Sequence, residues 1–452
     1  MEAEQEKVRM RQGRWGNGRL SLGWIQTALL VLAALVLLAA GRKLTASESA
    51  WPPKTFPIGF WCGPPEPYIT AEQYKRIAEA GFTFVLPPCE GEATVERNRK
   101  ILDTARAAGL KAIISDSRMP LAVTGDPSAL PRLKAIVADY KKHPALLGYF
   151  ITDEPGANQF SGLAEVVAEL RKLDPDHLAY INLFPNYAST NLTAQPSQLN
   201  TDTYEQYLEK YLQTVRPAVL SWDHYHFLTS GDRPGFFGNL AAAQRAAGAT
   251  NPITPFWQIV LSVQHGPYRA LSENELRFEA MQTLVYGGQG LLYFTYWLPR
   301  DDAAFHWSRA IMNRDGTPGP LYEAVKRVNQ EVRTLGKWLY GAPALRTFQT
   351  GEIPPDGAPP ADDVPVKIEA PGNLTVGTFR DSGGYFLVMV TNRDYKQGVS
   401  TTLLAYAGAH PIQILDLATN EWRPVTEKKD AEGVTRIPIA LGPAGAALIR
   451  WY

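Results

Sequence analysis

The sequence predicts an α/β fold, in which a (β/α)8 barrel is followed by a C-terminal antiparallel β-sandwich and preceded by a hydrophobic helix. Between Trp51 and Gly341, short apolar runs alternate eight times with amphipathic helical patterns, as in a (β/α)8 barrel of about 250 residues. After Gly341 a proline-rich stretch leads into short β-rich runs. We therefore predict three parts, which are residues 1–50, 51–341 and 342–452.

Residues 1–50 are predicted to be a targeting segment. The run Ala28–Ala40 is uncharged and apolar, and four arginines precede it: Arg9, Arg11, Arg14 and Arg19. A positive region followed by an apolar one is typical of a signal peptide. With Leu22–Thr27 included, the stretch reaches the ~20 residues that span a bilayer. Two alternatives stay open, a cleaved signal peptide of a secreted or periplasmic protein and a single-pass membrane anchor over residues 22–41. Both predict an exported body.

Eight strands are predicted in the barrel: Pro57–Trp61, Phe82–Leu86, Lys111–Ser115, Leu146–Thr152, Leu178–Leu183, Ala218–Asp223, Pro255–Leu261 and Gly290–Tyr296. Eight helices follow them in alternation: Ala71–Ala80, Val95–Ala108, Leu130–Lys142, Ser161–Leu173, Thr203–Val215, Phe236–Ala247, Glu273–Tyr286 and Leu321–Trp338. Thr70 and Ser272 have the sequence context of N-caps, and Gly81, Gly109 and Gly287 stand where helices should end. A doubly wound sheet is the competing fold, but its glycine-rich phosphate turn is absent.

The C-terminal part is predicted to be an antiparallel sandwich of short strands. The runs are Leu374–Arg380, Tyr385–Thr391, Ser400–Leu404, Ile412–Asp416, Thr435–Ala440 and Ala446–Trp451. Turn residues separate them, which is typical of an all-β domain. The two cysteines, Cys62 and Cys89, follow the first two predicted barrel strands. Neighbouring strands lie about 4.8 Å apart, so a disulfide and two buried free thiols are both compatible with these positions.

The stretch Leu146–Pro155 is the most informative part of the barrel. Its apolar, aromatic-rich run predicts a strand buried on both faces, and Pro155 should end that strand. Asp153 and Glu154 then lie at the carboxyl end, where the active sites of such barrels are found. The two-residue period of a strand points these two acids to opposite faces. Two interpretations of Asp153 therefore stay open, a catalytic role and a structural partner of a helix N-terminus or an arginine.

Other side chains capable of chemistry follow the predicted strands. They are Trp61, Glu66, Glu90, Asp116, Asn182, Asp223, His224, Tyr225, Gln258, Gln264, Tyr296 and Trp297. Carboxyls, amides and aromatic rings suit glycoside cleavage, in which an acid protonates the leaving oxygen and a second carboxylate attacks or activates water. The sequence has no GxSxG, HExxH or phosphate-loop motif, and it predicts no cofactor. A zero net charge argues against a nucleic-acid partner.

The run Gly148–Pro155 resembles the strand-four motif of exported barrel glycoside hydrolases related to the family 42 β-galactosidases. Ser221–Tyr225 resembles their strand-six segment, and a β-sandwich after the barrel is usual in such enzymes. The resemblance implies that Glu154 is the general acid/base. It departs from the pattern at Asp153, where the large retaining clan has Asn. It departs again in Phe256–His265, which lacks the nucleophilic Glu that ends strand seven in that clan.

Two sources of a nucleophile stay open. Asp223 is the best substitute carboxylate in the chain. Alternatively, consecutive Asp and Glu residues on strand four resemble the family 20 hexosaminidases, where the Asp orients the substrate's own acetamido group and the Glu is the acid. We therefore predict a glycoside hydrolase with Glu154, Asp223 and Asp153 as catalytic residues. The sugar would be bound by Trp61, Asp116, Asn182, His224, Tyr225, Gln258, Tyr296 and Trp297.

Two further hypotheses are weaker. The missing acid of strand seven also fits a degenerate barrel that binds glycans without hydrolysing them, since a fold does not guarantee an activity. His224 and His226 are two residues apart, a spacing that allows two metal ligands on one strand face. No third ligand of suitable spacing accompanies these histidines, and we predict no metal site.

Overall fold

The structure is a computed structural model that describes residues 50–369 and 372–452. Eight parallel strands form one sheet with the order β1, β10, β9, β6, β5, β4, β3, β2. These strands are β1 Ile58–Phe60, β2 Phe84–Val85, β3 Lys111–Ser115, β4 Leu146–Asp153, β5 Leu178–Leu183, β6 Leu220–Asp223, β9 Phe256–Leu261 and β10 Gly290–Phe294. A short hairpin that was not predicted follows β6. Its two strands have two residues each, β7 Phe227–Leu228 and β8 Gly231–Asp232.

The sheet nearly closes into a barrel at the seam between β1 and β2. Thr83, just before β2, donates its backbone N–H to Ile58 of β1 at 2.8 Å, and its hydroxyl accepts from the N–H of Ile58 at 2.9 Å. A disulfide between Cys62 and Cys89 joins the loops that follow these two strands. The predicted (β/α)8 barrel is therefore confirmed, and the covalent link lies at the one seam where the ladder is weakest.

Eight helices surround the sheet, in the predicted alternation. They are α1 Ala71–Glu79, α2 Val95–Ala107, α3 Ala129–Tyr140, α4 Phe160–Leu173, α5 Tyr204–Val215, α6 Phe236–Gly248, α7 Glu273–Val285 and α8 Tyr322–Leu339. Thr70 caps α1, and Ser272 forms a capping box with Glu275 at the start of α7, as predicted. Gly81 and Gly287 follow helices with φ of +84° and +93°, a conformation that glycine adopts without steric cost.

Two antiparallel sheets follow the barrel. One has the strand order β11, β13, β14, β19, β16, β17, and the other has the order β12, β15, β18. Their strands are β11 Ala344–Gln349, β12 Val366–Ile368, β13 Leu374–Arg380, β14 Phe386–Asn392, β15 Val399–Ala405, β16 Gln413–Asp416, β17 Glu421–Pro424, β18 Thr435–Leu441 and β19 Ala446–Trp451. Side chains of both sheets share one apolar cluster, as expected for a sandwich. The strands β11, β12 and β17 were not predicted. All three lie at sheet edges, where a clear apolar alternation is not required.

Helix α7 joins the barrel to the larger C-terminal sheet. Its residues are buried around most of its circumference. Gly377 of β13 allows a close approach, because a Cβ at this position would lie 2.2 Å from the carbonyl oxygen of Val285. Gln282 also donates from its side chain to the hydroxyl of Thr391 at 3.0 Å. The described residues accordingly belong to one compact unit, and the division near residue 342 stays a prediction.

The hydrophobic run Ala28–Ala40 lies outside the described residues. Within residues 50–369 and 372–452, none of the helices has the length and apolarity required to cross a bilayer.

Removing the disulfide is expected to destabilise the fold. The bridge closes a loop with a sequence separation of 27 residues, and loop closure of this size contributes about 3 kcal/mol. The double variant Cys62→Ser, Cys89→Ser should therefore lose about 3 kcal/mol of unfolding free energy in guanidinium titrations. The parent under a thiol reductant is the matched control and should lose a similar amount. Equal midpoints for parent and variant would contradict the prediction.

Candidate active site

Strand β4 contains an irregularity immediately before its two acids. Phe150 pairs with Tyr180 of β5, but Thr152 pairs with Ile181 and Asp153 with Asn182. Ile151 and Thr152 therefore oppose a single residue, which is a β-bulge. The bulge resets the alternation, so that Asp153 lies beside Asn182 at the carboxyl end of the barrel.

Glu154 adopts a left-handed backbone conformation, with φ of +46°. This conformation costs a non-glycine residue about 1–3 kcal/mol and is concentrated at functional sites. Neighbouring contacts hold it in place, because the N–H of Glu154 donates to the carbonyl of Asn182 at 2.9 Å and the hydroxyl of Tyr207 donates to the carbonyl of Pro155 at 2.7 Å. As a result Glu154 lies in the same cluster as Asp153. The expectation that these side chains point to opposite faces was wrong, because it assumed regular strand geometry.

Asn182 connects the acids of β4 to the acid of β6. Its side-chain nitrogen donates to Oδ1 of Asp153 and to Oδ1 of Asp223, both at 3.0 Å. Its side-chain oxygen accepts from the hydroxyl of Ser221 at 3.1 Å, and that hydroxyl is 2.9 Å from the hydroxyl of Tyr180. Both amide hydrogens of Asn182 are therefore used, and the side chain is 2% exposed. We correct its predicted role from binding sugar hydroxyls to holding two carboxylates.

The carboxyl groups of Glu154 and Asp223 are in direct hydrogen-bond contact. Burial, the negative charges of Asp223 and Asp153, and this hydrogen bond all raise the pKa of Glu154 above its ordinary value. Burial and the charge of Asp153 also raise the pKa of Asp223, while hydrogen bonds from Asn182 and Glu154 lower it. Because two adjacent carboxylates repel each other, ionisation of one acid raises the pKa of the other, and this effect adds to the burial that raises the pKa of Glu154.

Asp153 is the most accessible of the three carboxyl groups. Burial raises its pKa to about 6, against the lowering effect of hydrogen bonds from Asn182 and the backbone of Glu154. Asp153 is thus available to a ligand that enters the mouth of the barrel.

Aromatic side chains lie beneath the carboxyl cluster. The rings of Trp61 and Phe150 meet edge to face at 5.3 Å, and the rings of Phe150 and Tyr180 are 6.2 Å apart. Trp61 and Phe150 are partly buried and pack on the apolar core inside the barrel. The sugar-binding role of Trp61 stays a prediction.

Five predicted binding residues lie elsewhere. Gln258 is fully buried and accepts from the hydroxyl of Thr283 on α7 at 2.6 Å, because the neighbouring Trp257 is the residue that faces the barrel interior. Tyr296 is fully buried against Phe60, with ring centroids 4.3 Å apart. Trp297 packs on Tyr68 at 4.8 Å. We therefore remove Gln258, Tyr296 and Trp297 from the candidate site.

The fourth is Asp116, which has a structural role. Two hydrogen bonds from the guanidinium of Arg118, at 2.9 and 2.8 Å, and one from the hydroxyl of Tyr140, at 2.7 Å, occupy its carboxylate. Although burial alone would raise the pKa of Asp116, these partners lower it below its ordinary value. A carboxylate that its own chain fully occupies has little capacity for a sugar hydroxyl.

The two histidines after β6 lie in the protein interior. His224 is fully buried, with Nδ1 3.1 Å from the side-chain oxygen of Asn239. Burial and the neighbouring His226 lower the pKa of His224 to about 3, so the ring is neutral. In the part of the chain that the structure describes, no group of three His, Cys, Asp or Glu side chains is arranged to hold a metal ion. His224 is removed from the predicted sugar contacts for the same reason of burial.

Tyr225 lies at the site. Tyr187 also lies there, although the sequence analysis did not predict it. Tyr225 lies two residues after Asp223 and stacks on Phe294, with ring centroids 5.3 Å apart. Tyr187 is 36% exposed, and the guanidinium of Arg233 lies 3.9 Å from the centre of its ring. Tyr187 comes four residues after the end of β5, so its position in a strand-end loop was a signal that sequence reasoning did not use.

The described structure therefore defines a (β/α)8 barrel whose mouth holds three clustered carboxyl groups. Its fold is similar to that of several solved proteins. A protein described as a glycoside hydrolase has a TM-score of 0.55 and 12% identity, with 88% of this chain and 92% of that chain covered. A family 5 glycoside hydrolase from Bacteroides vulgatus has a TM-score of 0.56 and 13% identity, with 88% of each chain covered.

A catalytic mutant of a family 42 β-galactosidase from G. stearothermophilus is also similar. Its TM-score is 0.57 at 10% identity, over 88% of this chain and 98% of that chain. Identities this low show a shared fold alone. No protein-family model and no curated protein matches the sequence.

Proposed function

We propose that this protein is a glycoside hydrolase in which Glu154 is the general acid/base. The observation that carries the proposal is the meeting of Asp153, Glu154 and Asp223 at the barrel mouth, where burial and the two neighbouring acids raise the pKa of Glu154. The solved proteins of similar fold are glycoside hydrolases, which supports a carbohydrate substrate for this chain. Cleavage of a glycosidic bond needs an acid that is still protonated at working pH, and the environment of Glu154 provides one.

The proton on Glu154 would pass to the glycosidic oxygen as the bond to the anomeric carbon breaks. The negative charges of Asp153 and Asp223 would stabilise the positive charge that develops on the sugar. After the leaving group departs, ionised Glu154 would accept a proton from the incoming water. Burial and the charge of Asp153 raise the pKa of Asp223, and the hydrogen bond from Asn182 opposes them, so this hydrogen bond favours the ionised form of Asp223.

The hydrogen bond between Glu154 and Asp223 affects which group can act as the nucleophile. Carboxyl groups of retaining glycosidases are about 5–5.5 Å apart, and those of inverting enzymes are about 6.5–9.5 Å apart. A hydrogen bond between the carboxyls of Glu154 and Asp223 brings them closer together than either of these ranges. This geometry favours the alternative in which Asp153, the accessible acid, orients an acetamido group of the substrate that acts as the nucleophile.

A panel of chromogenic glycosides tests the proposal. It should include hexosides and their N-acetylhexosaminide counterparts, in both anomeric configurations. We expect hydrolysis of at least one glycoside, with N-acetylhexosaminides preferred. Hydrolysis of plain hexosides alone would contradict the acetamido mechanism. Binding of glycans without turnover of any glycoside would contradict the enzyme and support a glycan-binding barrel.

The pH dependence of hydrolysis should reflect two requirements of the cluster, a protonated Glu154 and ionised aspartates. Activity is lost as the pH rises through the raised pKa of Glu154, because the proton donor is then absent. Activity is also lost as the pH falls, because Asp223 and Asp153, with pKa values raised to about 7 and about 6, become protonated in turn. We therefore expect a bell-shaped profile of kcat/KM whose acidic limb lies between about pH 6 and about pH 7. A loss of activity on the alkaline side that begins near the ordinary pKa of a glutamate, about 4.3, would contradict the assignment of Glu154.

We also propose that the body of the protein acts outside the cytoplasm, either anchored or released. The positive and apolar segments of residues 1–50 support export. The Cys62–Cys89 disulfide supports it independently, because such bonds persist mainly in oxidising compartments. Fractionation of the producing cell would contradict the proposal if the protein were found in the cytoplasm alone.

A further inference from the structure

The loop that follows β10 carries two aromatic side chains, Phe305 and Trp307. Two aspartates hold its backbone. The side chain of Asp302 accepts from the N–H groups of Ala304 and Phe305 at 2.7 and 2.8 Å. The side chain of Asp301 accepts from the N–H of Trp307 at 3.0 Å. The two rings therefore stand on a preorganised segment.

This segment is also fixed to the loop that follows β9. Gln264 and Ser308 exchange two backbone hydrogen bonds of 2.9 and 3.0 Å. The ring of Trp307 stacks on His265, with centroids 4.2 Å apart and planes at 21°. Phe305 packs over Gly266, where an added Cβ would come within 3.1 Å of the ring. The absence of a side chain at position 266 thus allows Phe305 to lie against the backbone.

The rings continue from this loop to the carboxyl cluster. His265 contacts Tyr268 at 4.8 Å, and Tyr268 meets Tyr225 edge to face at 5.4 Å. Burial, followed by the negative charges of Asp223 and other nearby acids, raises the pKa of the phenol of Tyr225, so this ring is within electrostatic reach of the acids. We call this set the aromatic row: Tyr225, Tyr268, His265, Trp307 and Phe305.

Part of the aromatic row is accessible. Phe305 is 38% exposed, and Tyr225, Tyr268 and Trp307 are half-buried. Exposed apolar surface that is bordered by polar groups is typical of a binding site. The faces of sugar rings are apolar and their edges are polar, and aromatic rings combined with hydrogen-bonding groups match such a surface.

We propose that the aromatic row forms sugar subsites beyond the one at which cleavage occurs, so that the substrate is an oligosaccharide. The inference rests on the proposed glycosidase activity. The sugar at the carboxyl cluster would be followed by further units along the loops after β9 and β10. Continuity of the row with the acids is the reason for assigning a glycan to it.

Kinetics on a series of chain lengths tests this inference. The series consists of chromogenic glycosides that carry one to five units of the sugar that the glycoside panel identifies. For the parent, kcat/KM should rise with chain length. Trp307→Ala and, as a second variant at an exposed position, Phe305→Ala should each reduce that rise by about tenfold, the upper range for loss of an aromatic contact. Tyr406→Ala is the matched control, because Tyr406 is 43% exposed on the C-terminal domain, and it should behave as the parent.

The outcomes separate the two proposals. Hydrolysis by the parent with a kcat/KM that does not change with chain length would overturn the subsites and leave the proposed function intact. Parent-like dependence on chain length in both alanine variants would have the same meaning. A parent that hydrolyses no glycoside would overturn the proposed function, and the subsites with it.

Discussion

Glu154→Gln is expected to reduce kcat by about 1,000-fold, within the range for loss of a general acid. Glutamine has nearly the shape of the protonated glutamate, but it has no acidic proton to give to the glycosidic oxygen. Substrate binding should be retained, because the variant keeps a neutral hydrogen-bonding side chain beside Asp223. Steady-state kinetics on the glycoside that the panel identifies, with calorimetric binding to the same compound, measures both effects.

Glu209→Gln provides the matched control, since Glu209 is an exposed glutamate on α5 and should keep the parent rate. Parent-like turnover by Glu154→Gln would refute the role of Glu154. Loss of binding together with turnover would show instead that Glu154 holds the substrate.

The same variant has a second expected effect that needs no substrate. The pKa of Glu154 is raised in the folded state, so between the ordinary pKa and the raised one the folded protein binds more protons than the unfolded chain. Its unfolding free energy should therefore decrease as the pH rises through that interval. Glu154→Gln lacks this titration. Denaturant titrations of parent and variant at several pH values should diverge as the pH rises, and parallel curves would contradict the buried protonated acid.

Asn182→Ala is expected to give the second largest effect, a loss of about 100-fold in kcat, in the range that mutation of a residue supporting a catalytic group produces. Asn182 donates to both Asp153 and Asp223, and these hydrogen bonds lower the pKa of each carboxyl. Without them the two acids become protonated at higher pH. The acidic limb of the kcat/KM profile should therefore move to higher pH, a change that a purely structural defect would not produce.

Ser221→Ala is the graded control for this variant. The hydroxyl of Ser221 donates to the side-chain oxygen of Asn182 and lies 2.9 Å from the hydroxyl of Tyr180, so its removal leaves both carboxylate contacts of Asn182 in place. We expect a smaller shift of the acidic limb in the same direction. An unchanged limb in Asn182→Ala would show that the amide does not tune the acids.

The barrel was predictable from the sequence because its signals are local. Eight apolar runs alternate with amphipathic helices, and residues such as Ser272 and Gly287 mark where helices begin and end. The strand-four acids could also be placed at the mouth, since Pro155 ends the strand. The N-terminal prediction lies outside the described residues and stays a prediction.

The orientation of side chains within the site was less predictable. The bulge at Ile151 and the left-handed conformation of Glu154 depend on pairing with β5 and on contacts from Tyr207, and no pattern in the strand itself encodes them. Simple alternation accordingly separated Asp153 from Glu154.

Residues at the other strand ends show the same difficulty. A strand end alone does not reveal which of two neighbouring side chains faces inward. Trp257 occupies the barrel interior and Gln258 faces helix α7, although both were equal candidates. Asp116 was predicted as a sugar-binding residue from its position at a strand end. Its partner Arg118 is only two residues away in the sequence, but the sequence does not reveal the contact with Tyr140, which is distant in the chain.

The burial of helix α7 between barrel and sheets has an evolutionary consequence. A gene fragment that encoded the barrel alone would leave the surface around Gln282 and Val285 in contact with water. Exchange of the catalytic barrel between unrelated genes would therefore have to carry the C-terminal sheets with it. We therefore expect the barrel and the C-terminal sheets to be inherited together. Proteins that combine this barrel with an unrelated C-terminal domain should be rare.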